Sequence, residues 1–319
     1  MVLADKNRIQ RYREDGLYYN RFTQGLYIPG SIFKIVTLAA ALENIPDIRE
    51  QNFQCYGKIE YGTEAVTCET AHGKQTLELA FANSCNCAFA QIAEQLGKTN
   101  MVNAVKKYEL TQSLSFDGIT TAEGNFDLTG ADKVALAWSA IGQYTDMINP
   151  CRYMTFMGAI AGGGRAANPY LVAGVSIGEE ITYSAETTYT DRIMPEETAK
   201  ILQDYMRNNV ASGYGDSHFP GLKVCAKSGT SQLGGGQKSN AMFAGFVSDE
   251  EYPLATIIGF PELFAELNQK FPVKKVGLVG TTDMPYAVHE DLVKGCYHIY
   301  KVGTVKNLKE NPDTCLIGY

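Results

Sequence analysis

Histidine and tryptophan are scarce in this 319-residue chain, with four copies and one copy respectively. His72, His218, His289 and His298 are scattered, no CxxC pair occurs, and no His/Cys cluster shows along the chain. That pattern predicts no zinc site. Positive charge is in deficit too. Lys and Arg number 28 against 35 Asp and Glu, a net charge of −7. An acidic surface repels a phosphate backbone, so nucleic acid is excluded as the expected partner. Long apolar runs are missing: the longest, residues 35–42 and 253–260, fall far short of the ~20 residues that span a bilayer. The opening MVLADKNRIQRYRED has no apolar segment of the signal-peptide kind, and the sequence reads as a soluble body. Internal repeats and low-complexity segments are also lacking.

What remains is ordinary globular composition, 45% hydrophobic and 20% charged, which excludes a disordered, collagen-like or coiled-coil chain. The length exceeds the usual single-domain mode, so one large domain or a core with insertions is expected. Eight cysteines are too few for a disulfide scaffold. Only Cys55 and Cys68 look like a local pair: CYGKIEYGTEAVTC reads as two short strands around Tyr61-Gly62, bringing its ends together. A disulfide there would fit an oxidising compartment, and a reduced pair is the open alternative.

Residues 1–30 are polar and tyrosine-rich, ending in Pro29-Gly30. Ser31 then opens a predicted helix whose apolar positions Ile32, Ile35, Val36, Ala39 and Leu42 follow helical spacing. Residues 47–75 read as an irregular β-containing excursion. Residues 76–97 are helical again, broken at Asn83-Ser84-Cys85-Asn86, a run of poor or middling helix formers. Further helices are predicted over 132–141, 151–161 and 195–210, with a strand pair within 170–190. Residues 223–231, 241–248 and 252–260 read as three antiparallel strands, and a last helix is predicted between 285 and 301. Helices followed by an antiparallel sheet make the fold class α+β.

Three short polar motifs stand at boundaries between these elements. In Ser31-Ile32-Phe33-Lys34, residues i and i+3 share a helix face, so the lysine amine sits one turn above the hydroxyl. A serine is a weak nucleophile until a base takes its proton, and burial among Ile32, Phe33 and Ile35 would lower the lysine pKa enough to serve. In Ser84-Cys85-Asn86, Ser84 could relay a proton and Asn86 could hold a substrate amide. In Lys227-Ser228-Gly229-Thr230, Gly229 permits close backbone approach, while Lys227, Ser228 and Thr230 suit a carboxylate at a strand edge. Each motif alone is also what a helix cap, an inter-helix turn or an exposed strand end looks like.

Together and in this order they resemble the SxxK, SDN and KTG signature of penicillin-binding proteins and class A β-lactamases. Tyr27-Ile28-Pro29-Gly30-Ser31-Ile32-Phe33-Lys34 is similar to the Y-x-P-G-S-x-F-K block of penicillin-binding transpeptidase domains. His72-Gly73 before a helix leading into Ser-Cys-Asn resembles clostridial-type members. Gly142-Gln143, Asn149-Pro150, Gly163-Gly164 and Pro169 resemble the segment running down to the KTG strand. Ala226 to Gln232, followed by Phe243-Ala244-Gly245-Phe246, looks like that strand and its partner. Departures are Ile32 for the usual Thr, Cys85 within the SxN triplet, Ser228 for the Thr of KTG, and only 30 residues before Ser31.

The resemblance implies an antiparallel sheet flanked by helices, residues 1–319 forming a single domain, with a mainly helical subdomain over roughly 45–165. It implies a peptidoglycan D,D-transpeptidase acting on stem peptides ending in D-Ala-D-Ala, acylated by β-lactams and working without a metal or organic cofactor. Ser31 would be nucleophile, Lys34 general base, Ser84 proton relay, Asn86 peptide ligand, and Lys227, Ser228, Gly229 and Thr230 the carboxylate site. Backbone N–H groups of Ser31 and Thr230 would form the oxyanion hole. Extracytoplasmic placement, an anchor outside the sequence and cell-wall synthesis or division partners follow from the substrate. A D,D-carboxypeptidase, a serine β-lactamase and a β-lactam sensor are the alternatives. The 53 and 143 residues between motifs are long for the β-lactamase, and an intact set of hydroxyls and amines disfavours a purely scaffolding domain. Cys85, Cys87 and Cys225 are expected to be small packing residues.

Overall fold

Helix α1 (Lys34–Asn44) is apolar on nearly every side: Ile35, Val36, Leu38 and the run Ala39, Ala40 and Ala41 are all buried. A helix of that kind belongs in the middle of a protein. Burying its Ile, Val and Leu side chains contributes about 1.5–3 kcal/mol each. A computed structural model describes residues 20–219, 221–231, 240–248 and 255–260, with strands at 275–279, 298–299 and 314–318. In it α1 packs on α3 (Asn86–Lys107) and α6 (Glu196–Asn208), and a 3-10 turn, Gly30–Phe33, leads directly into its first residue.

Between α1 and α3 the chain makes two small antiparallel sheets. Strand β1 (Asn52–Cys55) pairs with β4 (Gly73–Thr76), and β2 (Lys58–Tyr61) pairs with β3 (Glu64–Thr67). The β2–β3 turn falls on Gly62, whose φ of +68° favours a residue without Cβ. Helix α2 (Leu77–Ala82) then ends where the poor helix formers predict, and α3 starts at Asn86. Helix α3 is interrupted at Gly97 (φ 69°, ψ 166°), where the helical stretch is expected to end, but it resumes and runs on to Lys107. A short hairpin, β5 (Ser115–Phe116) with β6 (Ile119–Thr120), precedes α4 (Lys133–Ser139) and α5 (Pro150–Ala161). Strands β7 (Gly174–Ile177) and β8 (Glu180–Ser184) form the predicted pair before α6.

The principal sheet has the order β11-β10-β9, with β9 spanning Val224–Ser231, β10 Asn240–Val247 and β11 Ala255–Phe260, all antiparallel. Helix α5 lies against β10 and β11, α6 lies against β9, and the two helices touch. Cys225 faces the main core, whereas Val224 and Ala226 join Val210, Phe219 and Phe243 in a second cluster. The first half of β9 is therefore covered on both faces, which is why Val224, Cys225 and Ala226 run apolar without alternation before the strand turns polar at Lys227. Helices and antiparallel sheet together give the α+β class.

One expectation needs correction. Within the predicted helix at 285–301, β13 (His298–Ile299) is a strand, parallel to β12 (Lys275–Val279), which also pairs in parallel with β14 (Thr314–Gly318). The aromatic and β-branched residues of Tyr297-His298-Ile299-Tyr300 favour extended backbone. The remainder of that predicted helix, and residues 1–19, lie outside the described residues. No described helix is long and apolar enough to cross a membrane.

Candidate active site

Ser31 is not a helix cap. It lies inside the 3-10 turn, after Pro29 and a Gly30 held at φ +56°, and the turn runs straight into α1. A Cβ on Gly30 would stand 2.5 Å from Thr230 O, so the turn needs glycine to lie against β9. Tyr153 of α5 holds the turn from beneath, its hydroxyl donating to Ile32 O at 2.7 Å. One turn on, Lys34 Nζ is 3.0 Å from Ser31 Oγ, as the i, i+3 spacing predicts.

The same amine reaches the break between α2 and α3. It donates to Ser84 O at 2.6 Å and to Asn86 Oδ1 at 2.6 Å, and lies 3.1 Å from Ser84 Oγ. Ser84 presents these atoms because it closes α2 in a Schellman arrangement. Its own N–H donates to Phe81 O (3.1 Å), and the N–H of Cys85 donates to Ala80 O (2.9 Å). Its φ of 50° is in the left-handed region, where glycine is the usual occupant and a side chain costs about 1–2 kcal/mol. Glu109 ends α3 in the same way, with φ 58°; what sets Ser84 apart is that this turn aims its hydroxyl and carbonyl at Lys34.

Lys34 is fully buried. Burial, and secondarily the charge of Lys227, hold its pKa well below the usual lysine range, against an opposing pull from the thiols of Cys68, Cys85 and Cys87. The geometry says what the neutral form does. Two carbonyl oxygens can only accept, so they take both N–H groups of a neutral amine. Its lone pair is left between the hydroxyls of Ser31 and Ser84. Lys227 is buried as well, its pKa lowered to about 7 by desolvation, with Nζ donating to Ser228 O at 2.9 Å. Each amine also sits over a ring, Lys34 over Phe89 and Lys227 over Phe81.

The structure brings the three motifs to one cleft of about 630 Å³. Ser31, Ser84, Asn86, Ser228, Gly229 and Thr230 line it, while Lys34 and Lys227 lie behind the wall. Gly229 lets β9 lie on the Ser31 turn, since a Cβ there would stand 2.7 Å from Ile32 N. The Asn86 side chain is engaged at both ends, by Lys34 and by its own donation to Thr67 O at 2.7 Å. It therefore ties the Lys34 amine to the β3 wall, a role beyond the expected hold on substrate. A larger cleft of about 870 Å³ between α1 and α6, lined by Glu43, Arg49 and Tyr205 among others, holds no residue of the three motifs.

Two groups of residues escaped the sequence reading. Tyr214 accepts the Ser228 N–H at 2.8 Å and lies 2.9 Å from Ser228 Oγ, fixing the residue that departs from KTG. More unexpectedly, Cys55, Cys68, His72 and Cys85 converge, correcting the expectation of scattered thiols and imidazoles. Cys55 and Cys68 are free thiols with sulfurs 3.8 Å apart, not a disulfide. Cys85 and Cys87 are fully buried in the core as expected of packing residues, and Cys87 Sγ also lies 3.6 Å from Cys68 Sγ. Cys225 is buried in the core as well and is not among the four converging ligands. The Cys68-x-x-x-His72 spacing was the available signal; the rest depends on two hairpins and a helix start folding together.

The model of the penicillin binding protein transpeptidase domain matches residues 2–273. The chain belongs to this family. Among curated relatives, stage V sporulation protein D of Bacillus subtilis (strain 168) is 30% identical over 215 residues, covering 65% of this chain and 33% of that protein. The D,D-transpeptidase domain of a peptidoglycan glycosyltransferase from Eggerthella lenta superposes with a TM-score of 0.71 at 26% identity, covering 79% of this chain and 66% of that one. Penicillin-binding protein A of M. tuberculosis, solved as a penicillin G acyl-enzyme complex, has the same fold, with a TM-score of 0.69, 21% identity, and coverage of 81% and 62%. The chain spans a third of the length of the first of these relatives. In this penicillin-binding transpeptidase domain, the residues that match SxxK, SxN and KTG are those gathered at the cleft.

Proposed function

We propose that this chain is a serine D,D-transpeptidase domain that cross-links peptidoglycan stem peptides through an acyl-enzyme on Ser31, and that β-lactams acylate the same hydroxyl. The observation that carries the reading is the position of Lys34 Nζ, 3.0 Å from Ser31 Oγ and 3.1 Å from Ser84 Oγ, with its other hydrogen-bonding capacity committed to two carbonyls. Neutral Lys34 takes the Ser31 proton as Oγ attacks the carbonyl of the penultimate D-Ala. The oxyanion forms beside the N–H groups of Ser31 and Thr230, and each such donor is worth roughly 10²–10³ in rate. Lys34 returns its proton through Ser84 to the departing D-Ala nitrogen as the carbon–nitrogen bond breaks. An amine from a second stem peptide then attacks the acyl-enzyme, Lys34 taking up its proton and handing it to Ser31 Oγ as the ester bond breaks, which restores both residues.

Ser228 and Thr230 on the cleft wall bind the terminal carboxylate, with buried Lys227 behind Ser228 supplying favourable charge when protonated. Residues 1–319 act as one transpeptidase unit, the helical segment 45–165 forming the wall opposite β9. Because its substrate lies outside the membrane, the domain works extracytoplasmically, anchored by a segment beyond this sequence and alongside cell-wall synthesis or division proteins. The test is turnover of a D-Ala-D-Ala stem peptide with and without an added amine acceptor, followed by mass spectrometry. Cross-linked product and released D-Ala are expected. D-Ala release that ignores the acceptor would make the domain a carboxypeptidase, and no release would overturn the reading.

A further inference from the structure

Beside the active-site cleft the fold assembles a set of soft ligands for which the transpeptidase reaction has no use. We propose that Cys55, Cys68, His72 and Cys85 form a closed, tetrahedral zinc site that fastens the β1–β4 region to the Ser84–Asn86 turn.

Four separate pieces of backbone deliver the ligands. Cys55 ends β1, Cys68 follows β3, His72 precedes β4, and Cys85 is the N-cap of α3. Their ligand atoms all lie within 4.8 Å of one another. The separations carry the argument. A zinc ion with bonds of about 2.3 Å to sulfur and about 2.0–2.1 Å to nitrogen requires tetrahedral edges of about 3.8 Å between sulfurs and about 3.6 Å between sulfur and nitrogen. Cys55 Sγ and Cys68 Sγ are 3.8 Å apart, Cys68 Sγ and Cys85 Sγ are 3.8 Å apart, and Cys55 Sγ is 3.5 Å from His72 Nδ1.

A second, independent feature is the treatment of the sulfurs by the backbone. Each of the three accepts one N–H at 3.4 Å: Cys55 from Gly57, Cys68 from Cys87, and Cys85 from Ala88. Donors aimed at every sulfur suit thiolates, and Cys85 has in addition the positive end of the α3 dipole. Outer hydrogen bonds of this kind are how metal sites orient their ligands. Three thiolates and an imidazole in tetrahedral array select zinc among the common divalent ions, and a full set of four protein ligands marks a structural rather than a catalytic centre. Cys87 stands outside the four, supplying its N–H to Cys68.

The position gives the site a consequence for catalysis. Cys85 lies between Ser84 and Asn86, which hold Lys34, and Cys68 and His72 line the cleft itself. Binding, with release of up to three thiol protons, would couple the order of this turn to metal occupancy.

The test uses the full chain purified from zinc-supplemented cells under reducing, chelator-free conditions. Elemental analysis is expected to find one zinc per chain, falling to background in Cys55→Ser and His72→Ala but unchanged in Cys151→Ala, a cysteine outside the cluster. Should the ligand variants fail to fold, cobalt titration of the metal-stripped wild-type chain is expected to give the intense visible and thiolate charge-transfer bands of a tetrahedral site. Metal removal is also expected to slow β-lactam acylation at least tenfold, reversed by zinc; that arm alone rests on the acylation reading. Zinc absent from the wild-type chain together with no such cobalt spectrum would overturn the proposal. So would zinc that persists in folded ligand variants, or a disulfide joining two of these cysteines in the freshly purified protein.

Discussion

Replacing Gly229 with alanine places a methyl group 2.7 Å from the Ile32 nitrogen, 3.0 Å from Ile32 Cγ2 and 3.1 Å from Pro29 O. Ordinary contact begins near 3.4 Å, so the Ser31 turn and β9 must separate by about 0.7 Å at this point. The nearest obstacle is backbone, which cannot swing aside as a side chain can. Ser31 rides on that turn, whereas Lys34 is held independently by Ser84 O and Asn86 Oδ1. The displacement therefore falls on the distance between nucleophile and base and on the alignment of the oxyanion donors. A misplacement of about 1 Å costs on the order of 10²-fold in rate, so Gly229→Ala is expected to slow β-lactam acylation 10- to 100-fold. Overpacking at one point costs about 1–3 kcal/mol, so the chain should still fold. The assay is the second-order rate of labelling by a fluorescent penicillin, with Tm measured alongside. Labelling within twofold of wild type would refute the claim that close approach of β9 sets the geometry of Ser31.

Lys34→Met is expected to slow acylation at least 100-fold, and Lys34→Arg to fail to rescue it because a guanidinium does not deprotonate; substantial labelling of either would remove Lys34 as base. Ser84→Gly relieves the left-handed strain and removes the relay, so Tm should stay level or rise while acylation slows, and a clear fall in Tm would contradict the strain argument. Lys227 binds its proton less tightly when folded, with a pKa of about 7 against 10.5. The unfolded chain consequently holds more protons between those values, and stability should climb with pH across that window by up to about 1.4 kcal/mol per pH unit. Lys227→Met should reduce that climb in a pH series of urea denaturations, leaving the share of Lys34, whose pKa is also lowered; an unchanged slope would mean the Lys227 amine is hydrated.

Much of this site was legible because its chemistry is local in sequence. Ser31 and Lys34 share a helix face by spacing alone, and the poor helix formers at Asn83 to Asn86 marked the turn that presents Ser84. The three strands of the principal sheet, bounded by breakers, were equally plain. What stayed hidden depends on long-range closure. Nothing in the residues around Tyr214 says that its hydroxyl meets Ser228, and nothing near Cys55 points to Cys85, thirty residues on. Asn86 was assigned to substrate because its neighbours in space, Lys34 and Thr67, were not visible as its partners. The helix expected over 285–301 gives way at His298–Ile299, where aromatic and β-branched residues prefer extended backbone.

The central claim is that Ser31 is the nucleophile activated by Lys34. Intact-mass spectrometry after incubation with a penicillin tests it most directly, with the Ser31→Ala chain in parallel. A stable adduct of one drug mass, localised by digestion to the peptide containing Ser31 and absent from the variant, is the expected result. Label on another residue, or an unmodified chain beside intact drug, would contradict the account.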